Sequence, residues 1–245
     1  MWITEVYKQL KEFLAMPEIT INLMYSSVVN VDQFYADIVK RFYEEAYKRH
    51  RKFPFIRAME YGVAVCQLPS SFDEYFMMVE GSARRNYRKA SHLGYKARRI
   101  QYNEHLDEIG EIWRSTPVRQ GRMPDKFLKG KPEPCTNPAS QSPLHDYPYY
   151  GVFSAGGQHG AGLVAYAGCL IAGELCLIEQ IMGHADKQSD GIVPFLIMEI
   201  ARDLFISYRT VRYYAFGTYF GAGVTMRRFK RKFRFLPCRA KWLLG

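Results

Sequence analysis

The sequence predicts an α+β (mixed α/β) fold, in which a central, mostly antiparallel mixed sheet is flanked by helices and preceded by an N-terminal helical extension. Three observations predict it. Two helical patterns open the chain of 245 residues, two adjoining apolar segments at 162–171 and 174–182 form a hairpin, and helices alternate with short strands after them. A chain of this length buries a core without disulfide or metal staples.

The first half of the chain alternates helical and extended patterns. We predict helices at 2–15, 31–50, 70–79, 81–94 and 103–115 and strands at 59–68 and 95–101. A serine before Phe72 supplies an N-cap, Gly94 a C-terminal stop, and Asn103 the cap of the helix that follows it. Each of the last three helices therefore has its own start or stop signal.

The second half begins with an irregular segment. Residues 116–148 hold seven of the twelve prolines, which predicts a long loop. In a compact domain such loops are usually functional or disordered. After it we predict strands at 149–155, 162–171, 174–182, 211–217 and 239–244 and helices at 191–206 and 222–233.

The most apolar segment, residues 160–181, is better explained by two buried strands than by a membrane span. Glycines interrupt it, and so do Glu174 and Glu179. A turn at Ala172 and Gly173 divides it into two strand-length pieces. We therefore predict no membrane span.

The cysteines and the N-terminus indicate the compartment. The five cysteines are odd in number and widely spread, without metal spacing, so we expect reduced and mostly buried thiols and no metal site. The N-terminal segment carries acids and a helical pattern in place of a signal peptide. We expect a cytoplasmic protein.

Positive charge is concentrated in two blocks. The formal net charge is +10, and residues 81–100 hold seven Lys/Arg while residues 204–245 hold ten, with no acid in either block. Such blocks favour anionic partners: a phosphorylated cofactor, a nucleic acid or an acidic surface. The alternative for either block is a solvated basic face without a partner.

A turn before the helix at 191–206 has the features of an anion site. Ser189 or Asp190 can cap the helix, Gly191 permits close approach of the backbone, and Pro194 fits the first turn. The unpaired N–H groups and the positive end of the helix dipole therefore point at the turn, where phosphate is a common ligand. The alternative is an ordinary capped helix that binds water.

The sequence "QSDGIV" at 188–193 resembles the coenzyme A pyrophosphate loop of GNAT acyltransferases, with Gln188 and Gly191 matching and Val193 departing from the pattern. The segment "RYYAFGTYFGAGVTMRRFKRKFRFLPCRAKWLL" at 212–244 resembles the C-terminal end of the Fem-type GNAT acyltransferases. The segment "ARRNYRKASHLGYKARRI" at 83–100 is similar to their arginine-rich helix. The resemblance covers residues 80–245.

The resemblance implies a GNAT-like acyltransferase domain at 69–245, which includes the proline-rich loop at 116–148. A helical and strand region at 1–68 precedes it and holds at most a remnant of a second lobe. The resemblance also implies acetyl-coenzyme A, or another acyl-coenzyme A, as co-substrate. The residues expected to bind it are Ile181, Gln188, Ser189, Asp190, Gly191, Ile192, Val193 and Lys230.

Acyl transfer to an amine needs a neutral nitrogen, a donor for the developing oxyanion and a proton for the leaving group. The resemblance implies that Glu179 is the base and that Tyr219 protonates the thiolate. His184, at the end of the strand of Glu179, is a further candidate because histidine exchanges protons near neutral pH. The alternatives are an ion pair for Glu179, an aromatic core for Tyr219 and a loop position for His184.

Lys230 is an anomaly within its helix. Met226, Phe229 and Phe233 define an apolar face, and Lys230 lies on that face, away from the neighbouring arginines. It either extends to the surface or meets an anion or a carbonyl group. In the Fem-type resemblance the matching lysine lies at the donor site.

Two further groups are candidates for binding the acceptor. Arg119, Gln120 and Arg122 surround a glycine in the long loop, where fork-shaped donors can hold a carboxylate or phosphate. A basic ridge on the helix at 81–94 either binds a nucleic acid backbone or shields one side of the acceptor cleft. Its members are Arg84, Arg85, Tyr87 and Arg88.

Three functions follow from these observations. The first is an acyl-coenzyme A-dependent N-acyltransferase that acts on an amine of a small molecule, a sugar or a nucleic-acid-linked acceptor. The second is a Fem-type transferase with aminoacyl-tRNA as donor, which the basic blocks also favour. The third is a non-catalytic basic protein that binds nucleic acid on the same fold.

Overall fold

The computed structural model describes residues 15–50, 55–119, 121–155, 162–220 and 222–245. The predicted helix at 2–15 lies outside the described residues, except for residue 15 in a turn, and so does Gln120.

Seven α-helices and nine strands make up the described part of the chain. The helices are α1 (Gln33–Tyr47), α2 (Phe72–Met78), α3 (Gly81–His92), α4 (Leu106–Arg114), α5 (Asp125–Lys129), α6 (Ile192–Ser207) and α7 (Val224–Lys232). The strands are β1 (Glu18–Asn22), β2 (Tyr61–Gln67), β3 (Lys96–Ile100), β4 (His145–Asp146), β5 (Tyr149–Phe153), β6 (Leu163–Ala172), β7 (Leu175–Gly183), β8 (Tyr213–Thr218) and β9 (Leu236–Leu243).

The strands form one sheet in the order β1-β9-β2-β8-β7-β6-β5-β3, with β4 paired to β6 beside this path. The pairs β1 with β9 and β7 with β8 are parallel. The other pairs are antiparallel. The predicted mixed, mostly antiparallel sheet with flanking helices is therefore confirmed.

The two faces of the sheet bury different helices. On one face α6 packs through Leu196, Ile197 and Ile200, with α3 lying against it through Ala83 and Ala90. Nine of the sixteen residues of α6 are buried, because the helix lies between the sheet and α3 and is covered on both sides. On the other face α1 packs on β2 and β7, and α4 packs on Tyr166 of β6.

Local signals determine several helix ends as predicted. Ser71 accepts a hydrogen bond from the main-chain N of Glu74 at 3.2 Å and caps α2. Gly94 has a φ of +82°, the left-handed conformation that ends α3. The predicted cap at Asn103 is wrong, because its side chain instead makes two hydrogen bonds of 2.9 Å to the main chain of Cys135. A short 3₁₀ turn at Tyr102–His105 precedes α4.

Three elements were not predicted. β1 lies in the segment between the first two predicted helices, and α5 and β4 lie in the segment predicted as an irregular loop. β1 depends on pairing with β9, more than 200 residues later, which local patterns do not reveal. The sheet also continues across the predicted boundary between residues 68 and 69, since β2 lies between β9 and β8.

The described part of the apolar segment, residues 162–181, lies in the hairpin of β6 and β7, as expected, with Gly173 in its turn at a φ of +56°. Within the described ranges, no helix combines the length and apolar character that crossing a membrane would require. All five cysteines are thiols, and four of them are buried.

Candidate functional site

The two parallel strands β7 and β8 separate part of the way along their length. Leu175 pairs with Tyr213, Cys176 with Tyr214, and Leu177 with Ala215. Beyond these pairs β7 continues to Gly183 and β8 to Thr218 without further pairing between them in the described chain. The unpaired ends of the two strands frame the candidate site, which we call the opening between β7 and β8.

Glu179 lies on the β7 side of this opening, at a β-bulge. Cys169 of β6 opposes Ile178 and Gly168 opposes Gln180, so Glu179 is the additional residue of β7. Its side chain is exposed, and its Oε2 accepts a hydrogen bond of 2.7 Å from the hydroxyl of Tyr147. Burial and the Glu179 carboxylate together raise the pKa of Tyr147 well above its ordinary value, so the phenol remains a donor.

Lys230 lies on the β8 side. The residue is 5% exposed to solvent, and its Nζ donates hydrogen bonds to the carbonyls of Phe216 at 2.6 Å and Thr218 at 2.8 Å. Gly217, between them, has a φ of +56°, which bends the end of β8. Burial lowers the pKa of Lys230 to about 8. Of the alternatives that the sequence left open, contact with carbonyl groups is confirmed.

Tyr219 follows directly after β8 and is 2% exposed. Its main-chain N donates to the carbonyl of Gly62 at 2.6 Å, and the Arg231 guanidinium lies 5.7 Å from its ring centre. The structure thus places Tyr219 next in the chain to a carbonyl that Lys230 contacts. Its role as proton donor stays a prediction.

His184 lies at the end of β7, and its main-chain N donates to the carbonyl of Val164 at 2.7 Å. Its buried Nδ1 has no hydrogen-bond partner among the described residues, and the carboxylate of Asp186 lies 4.0 Å away. Gly183 lies between it and the rest of β7. A role in proton transfer stays a prediction.

Arg119 contacts the protein main chain where an acceptor was expected. Its Nη1 donates to the carbonyl of Gly183 at 2.8 Å, and its Nη2 to the carbonyl of Ile112 at 2.7 Å and to Ser115 Oγ at 3.2 Å. The guanidinium thus joins the end of β7 to α4. Arg122 is separate from it, exposed and 3.6 Å from Asp125. Binding of an acceptor carboxylate or phosphate by Arg119 and Arg122 stays a prediction.

Gly191, the last residue of the turn at 188–191, is covered by α3. Gly191 has a φ of +83°, and a Cβ atom there would lie 2.6 Å from the carbonyl oxygen of Asn86. Lys89 Nζ donates to the carbonyl of Ser189 at 2.8 Å, and the hydroxyl of Tyr95 donates to Asp190 at 2.7 Å. The glycine is thus needed for the close approach of α3.

The predicted side-chain cap of α6 is wrong. Ser189 and Asp190 belong to a 3₁₀ turn at Ala185–Asp190, and the N-cap position is Gly191, which has no side chain. Ile192 is fully buried, and Ile181 and Val193 are half-buried against the main core. Gln188 is exposed. Binding of coenzyme A by these residues stays a prediction.

The ridge on α3 divides into packing and exposed residues. The ring of Tyr87 stacks on Phe195 with centres 5.2 Å apart, and its hydroxyl donates to Glu199 at 2.6 Å. Arg84 is half-buried beside Met77, whereas Arg85 and Arg88 are exposed. Tyr87 therefore joins α3 to α6, and Arg85 and Arg88 face solvent.

The pair Tyr147–Glu179 was not found from the sequence. Tyr147 lies at the end of the proline-rich segment, and the bulge that presents Glu179 depends on the register between β6 and β7. The signal available in the sequence is that Tyr147 stands just before a predicted strand. That signal does not identify Glu179, 32 residues later, as the residue with which Tyr147 forms a hydrogen bond.

No family model and no curated protein matches the sequence. Among solved structures, the crystal structure of FemX is similar, with a TM-score of 0.51 and 11% identity over 73% of this chain and 59% of that chain. L-PGS from Bacillus licheniformis matches with a TM-score of 0.41 and 13% identity, over 72% of this chain and 57% of that chain.

A conserved protein of unknown function from Bacteroides thetaiotaomicron matches with a TM-score of 0.45 and 12% identity, over 73% of this chain and 58% of that chain. The chain spans less than three fifths of the length of each of these proteins. The likeness to FemX establishes a GNAT-like fold and confirms the predicted resemblance at the level of the fold.

Proposed function

We propose that this GNAT-like protein is an N-acyltransferase that acts at the opening between β7 and β8. The observation that carries the proposal is the pair of groups on its two sides. Glu179 is exposed at a bulge of β7, and Lys230 is buried beneath the carbonyls of Phe216 and Thr218 at the end of β8. In acyl transfer to an amine, a carboxylate can serve as the general base and an ammonium as the donor to the oxyanion.

Glu179 is our candidate for the general base. Tyr147 holds Oε2 and leaves Oε1 to accept a proton from the acceptor amine. The amine nitrogen then attacks the acyl carbonyl carbon, the C–N bond forms, and the bond to the leaving oxygen or sulfur breaks. A positioned general base contributes about 10²–10⁴-fold to such a reaction.

Lys230 is our candidate for stabilising the oxyanion. An ammonium has three N–H donors, and the two carbonyls account for two of them, so the third can point at the acyl oxygen. A preorganised donor of this kind is worth about 10²–10³-fold. Tyr219, next to Thr218, is our candidate for giving a proton to the leaving group.

For the donor we favour an aminoacyl ester carried on tRNA. At the turn at 188–191, where the sequence predicts coenzyme A phosphates, Asn86 covers Gly191 and Asp190 adds a carboxylate, and both features oppose a pyrophosphate there. The Fem-type resemblance implies an aminoacyl-tRNA donor, and the likeness of the fold to FemX supports that resemblance.

Acyl-coenzyme A is the second candidate. It is favoured by the left-handed Gly191 at the start of a helix of sixteen residues, where the first N–H groups and the helix dipole attract phosphate. A coenzyme present at a hundred times its dissociation constant would stabilise the fold by about 2.7 kcal/mol, so thermal unfolding with and without acetyl-coenzyme A tests this donor.

The test of the proposal is transfer of a labelled acyl group to a panel of amines from aminoacyl-tRNA and, separately, from acetyl-coenzyme A. We expect transfer from aminoacyl-tRNA and a loss of about 10²-fold or more in Glu179→Gln. Glu111→Gln, at an exposed position of α4, is the matched control and should retain full transfer. Absence of transfer from either donor, together with persistent RNA binding, would establish the non-catalytic alternative instead.

A further inference from the structure

Two basic helices that are far apart in the sequence meet on one surface. The main-chain N of Glu80, the residue before α3, donates to the carbonyl of Lys232, the last residue of α7, at 2.8 Å. The C-terminal end of α7 therefore adjoins the N-terminal end of α3. With the helical rise of about 1.5 Å per residue, α7 is about 13 Å long and α3 about 18 Å.

Both helices carry cations and no acids. We call their basic residues and Arg234 the α3–α7 cationic surface; its members are Arg84, Arg85, Arg88, Lys89, Arg227, Arg228, Arg231, Lys232 and Arg234. The two blocks of positive charge seen in the sequence thus meet on the folded protein through these helices.

Lys89 of this surface lies 3.9 Å from Asp190, whereas three of its arginines have no carboxylate partner among the described residues. Within the described ranges, Arg85, Arg88 and Arg228 form no ion pair, although all three are exposed. By contrast, Arg99 contacts Asp203 at 2.7 Å, and Arg239 contacts Glu18 at 3.0 Å. Unpaired like charges at one place repel each other, and a bound polyanion relieves that repulsion.

The chemistry of the surface fits a phosphodiester backbone better than a bilayer. Seven of its nine members are arginines, whose planar forks match phosphate oxygens. Phe229 and Phe233 pack into the main core, so the apolar side of α7 is used inside the protein. Exposed apolar side chains on or beside the two helices in sequence are few and scattered, whereas insertion into a bilayer needs a broad apolar face. These exposed apolar side chains are those of Met77, Met78, Leu93 and Val224.

We propose that the α3–α7 cationic surface binds the sugar–phosphate backbone of an RNA. Because α7 also carries Lys230 on its inner side, an RNA lying along α7 ends beside the opening between β7 and β8. The inference rests on the proposed function in one respect: that function identifies this RNA as the carrier of the aminoacyl ester.

The first experiment measures binding alone. A short fluorescein-labelled RNA hairpin with a single-stranded end is titrated with the full chain at several salt concentrations. Each phosphate contact contributes about −0.7 to −0.9 to the slope of log K against log salt, so the double variant Arg88→Gln/Arg228→Gln should reduce the slope by roughly 2 and weaken binding about 10-fold or more. Unchanged thermal midpoints show that the variant is folded.

The matched control removes two charges elsewhere. Lys40 and Arg41 are exposed on α1, which packs on the opposite face of the sheet. Lys40→Gln/Arg41→Gln should bind the hairpin with the slope and affinity of the wild type. The proposal is overturned if the α3–α7 variant also binds like the wild type, or if the protein binds vesicles of an anionic phospholipid and not the hairpin.

A second measurement separates this proposal from the proposed function. Transfer is followed from an aminoacylated RNA and from an aminoacyl nucleotide that lacks the RNA stem. We expect Arg88→Gln/Arg228→Gln to raise KM for the RNA donor about 10-fold more than KM for the short donor. If neither donor supports transfer by the wild type, the proposed function is overturned, and the hairpin titration still decides whether the surface binds RNA.

Discussion

Lys230 Nζ donates a hydrogen bond of 2.6 Å to the carbonyl of Phe216, so a buried ammonium on α7 meets the end of β8 where that strand has left β7. The same nitrogen lies 4.8 Å from the centre of the Phe216 ring. A cation in this position fastens α7 to the strand and places positive charge beside the opening. One residue therefore has both a structural and a chemical consequence.

Replacing Lys230 by methionine should separate these consequences. Lys230→Met keeps the apolar stem but leaves two carbonyls without their donor, so we expect a loss of about 1–2 kcal/mol in the free energy of unfolding. We expect transfer to fall about 10²-fold or more, because the oxyanion donor is gone. Urea unfolding and single-turnover transfer measure the two effects. Lys241→Met, at an exposed position of β9, is the control. Full transfer by Lys230→Met would leave the lysine a structural role alone.

The low pKa of Lys230 predicts a dependence of stability on pH. Burial lowers this pKa from 10.5 to about 8, so between these values the unfolded chain binds more protons than the folded protein. The contribution of Lys230 to the free energy of unfolding therefore rises as the pH rises from about 8 to 10.5. Below that window the free-energy cost of burying the charged lysine is at its maximum and no longer changes with pH. Across this window we expect the free energy of unfolding of the wild type to rise by about 1–2 kcal/mol relative to that of Lys230→Met. The value allows for screening of the charge by solvent near the opening. Urea unfolding of both proteins at several pH values measures the difference, since their other titrating groups are shared. If the free energies of unfolding of the two proteins changed in parallel with pH, this prediction would be contradicted.

Features with local causes could be predicted from the sequence, and features with distant causes could not. Lys230 was recognisable because a cation on the apolar face of a helix is visible within two turns. The cover over Gly191 was not, because it comes from Asn86, which belongs to a helix about a hundred residues earlier. The same holds for β1, which requires β9, and for Glu179, whose exposure depends on a bulge in the register with β6. The sequence thus indicated the elements around the site but not the contacts that open or cover it.

Gly191 should tolerate no side chain. An alanine at a φ of +83° is strained by about 1–2 kcal/mol, and its Cβ would lie 2.6 Å from the carbonyl oxygen of Asn86. We expect Gly191→Ala to lower the free energy of unfolding by about 2 kcal/mol or more, measured by urea titration. Gly162→Ala is the control, because no atom of the described residues lies within 4 Å of a Cβ there, and it should change stability by less than about 1 kcal/mol. Equal effects of the two substitutions would show that α3 does not rest on Gly191.

Arg119 should prove structural and Arg122 dispensable for stability, although they are three residues apart in one loop. The Arg119 guanidinium joins the carbonyl of Gly183 on β7 to the carbonyl of Ile112 on α4, and burial lowers its pKa. Arg119→Met removes the side-chain donor from the carbonyl of Gly183 and leaves Ser115 Oγ as the side-chain donor to Ile112, so we expect a loss of about 1–3 kcal/mol in the free energy of unfolding. Arg122 has 82% of its side chain exposed and a single ion pair, so Arg122→Met should change stability by less than about 0.5 kcal/mol. Urea unfolding of the two variants in parallel measures the contrast. If Arg119→Met were as stable as the wild type but raised KM for the acceptor, the arginine would bind substrate, as the sequence alone suggested.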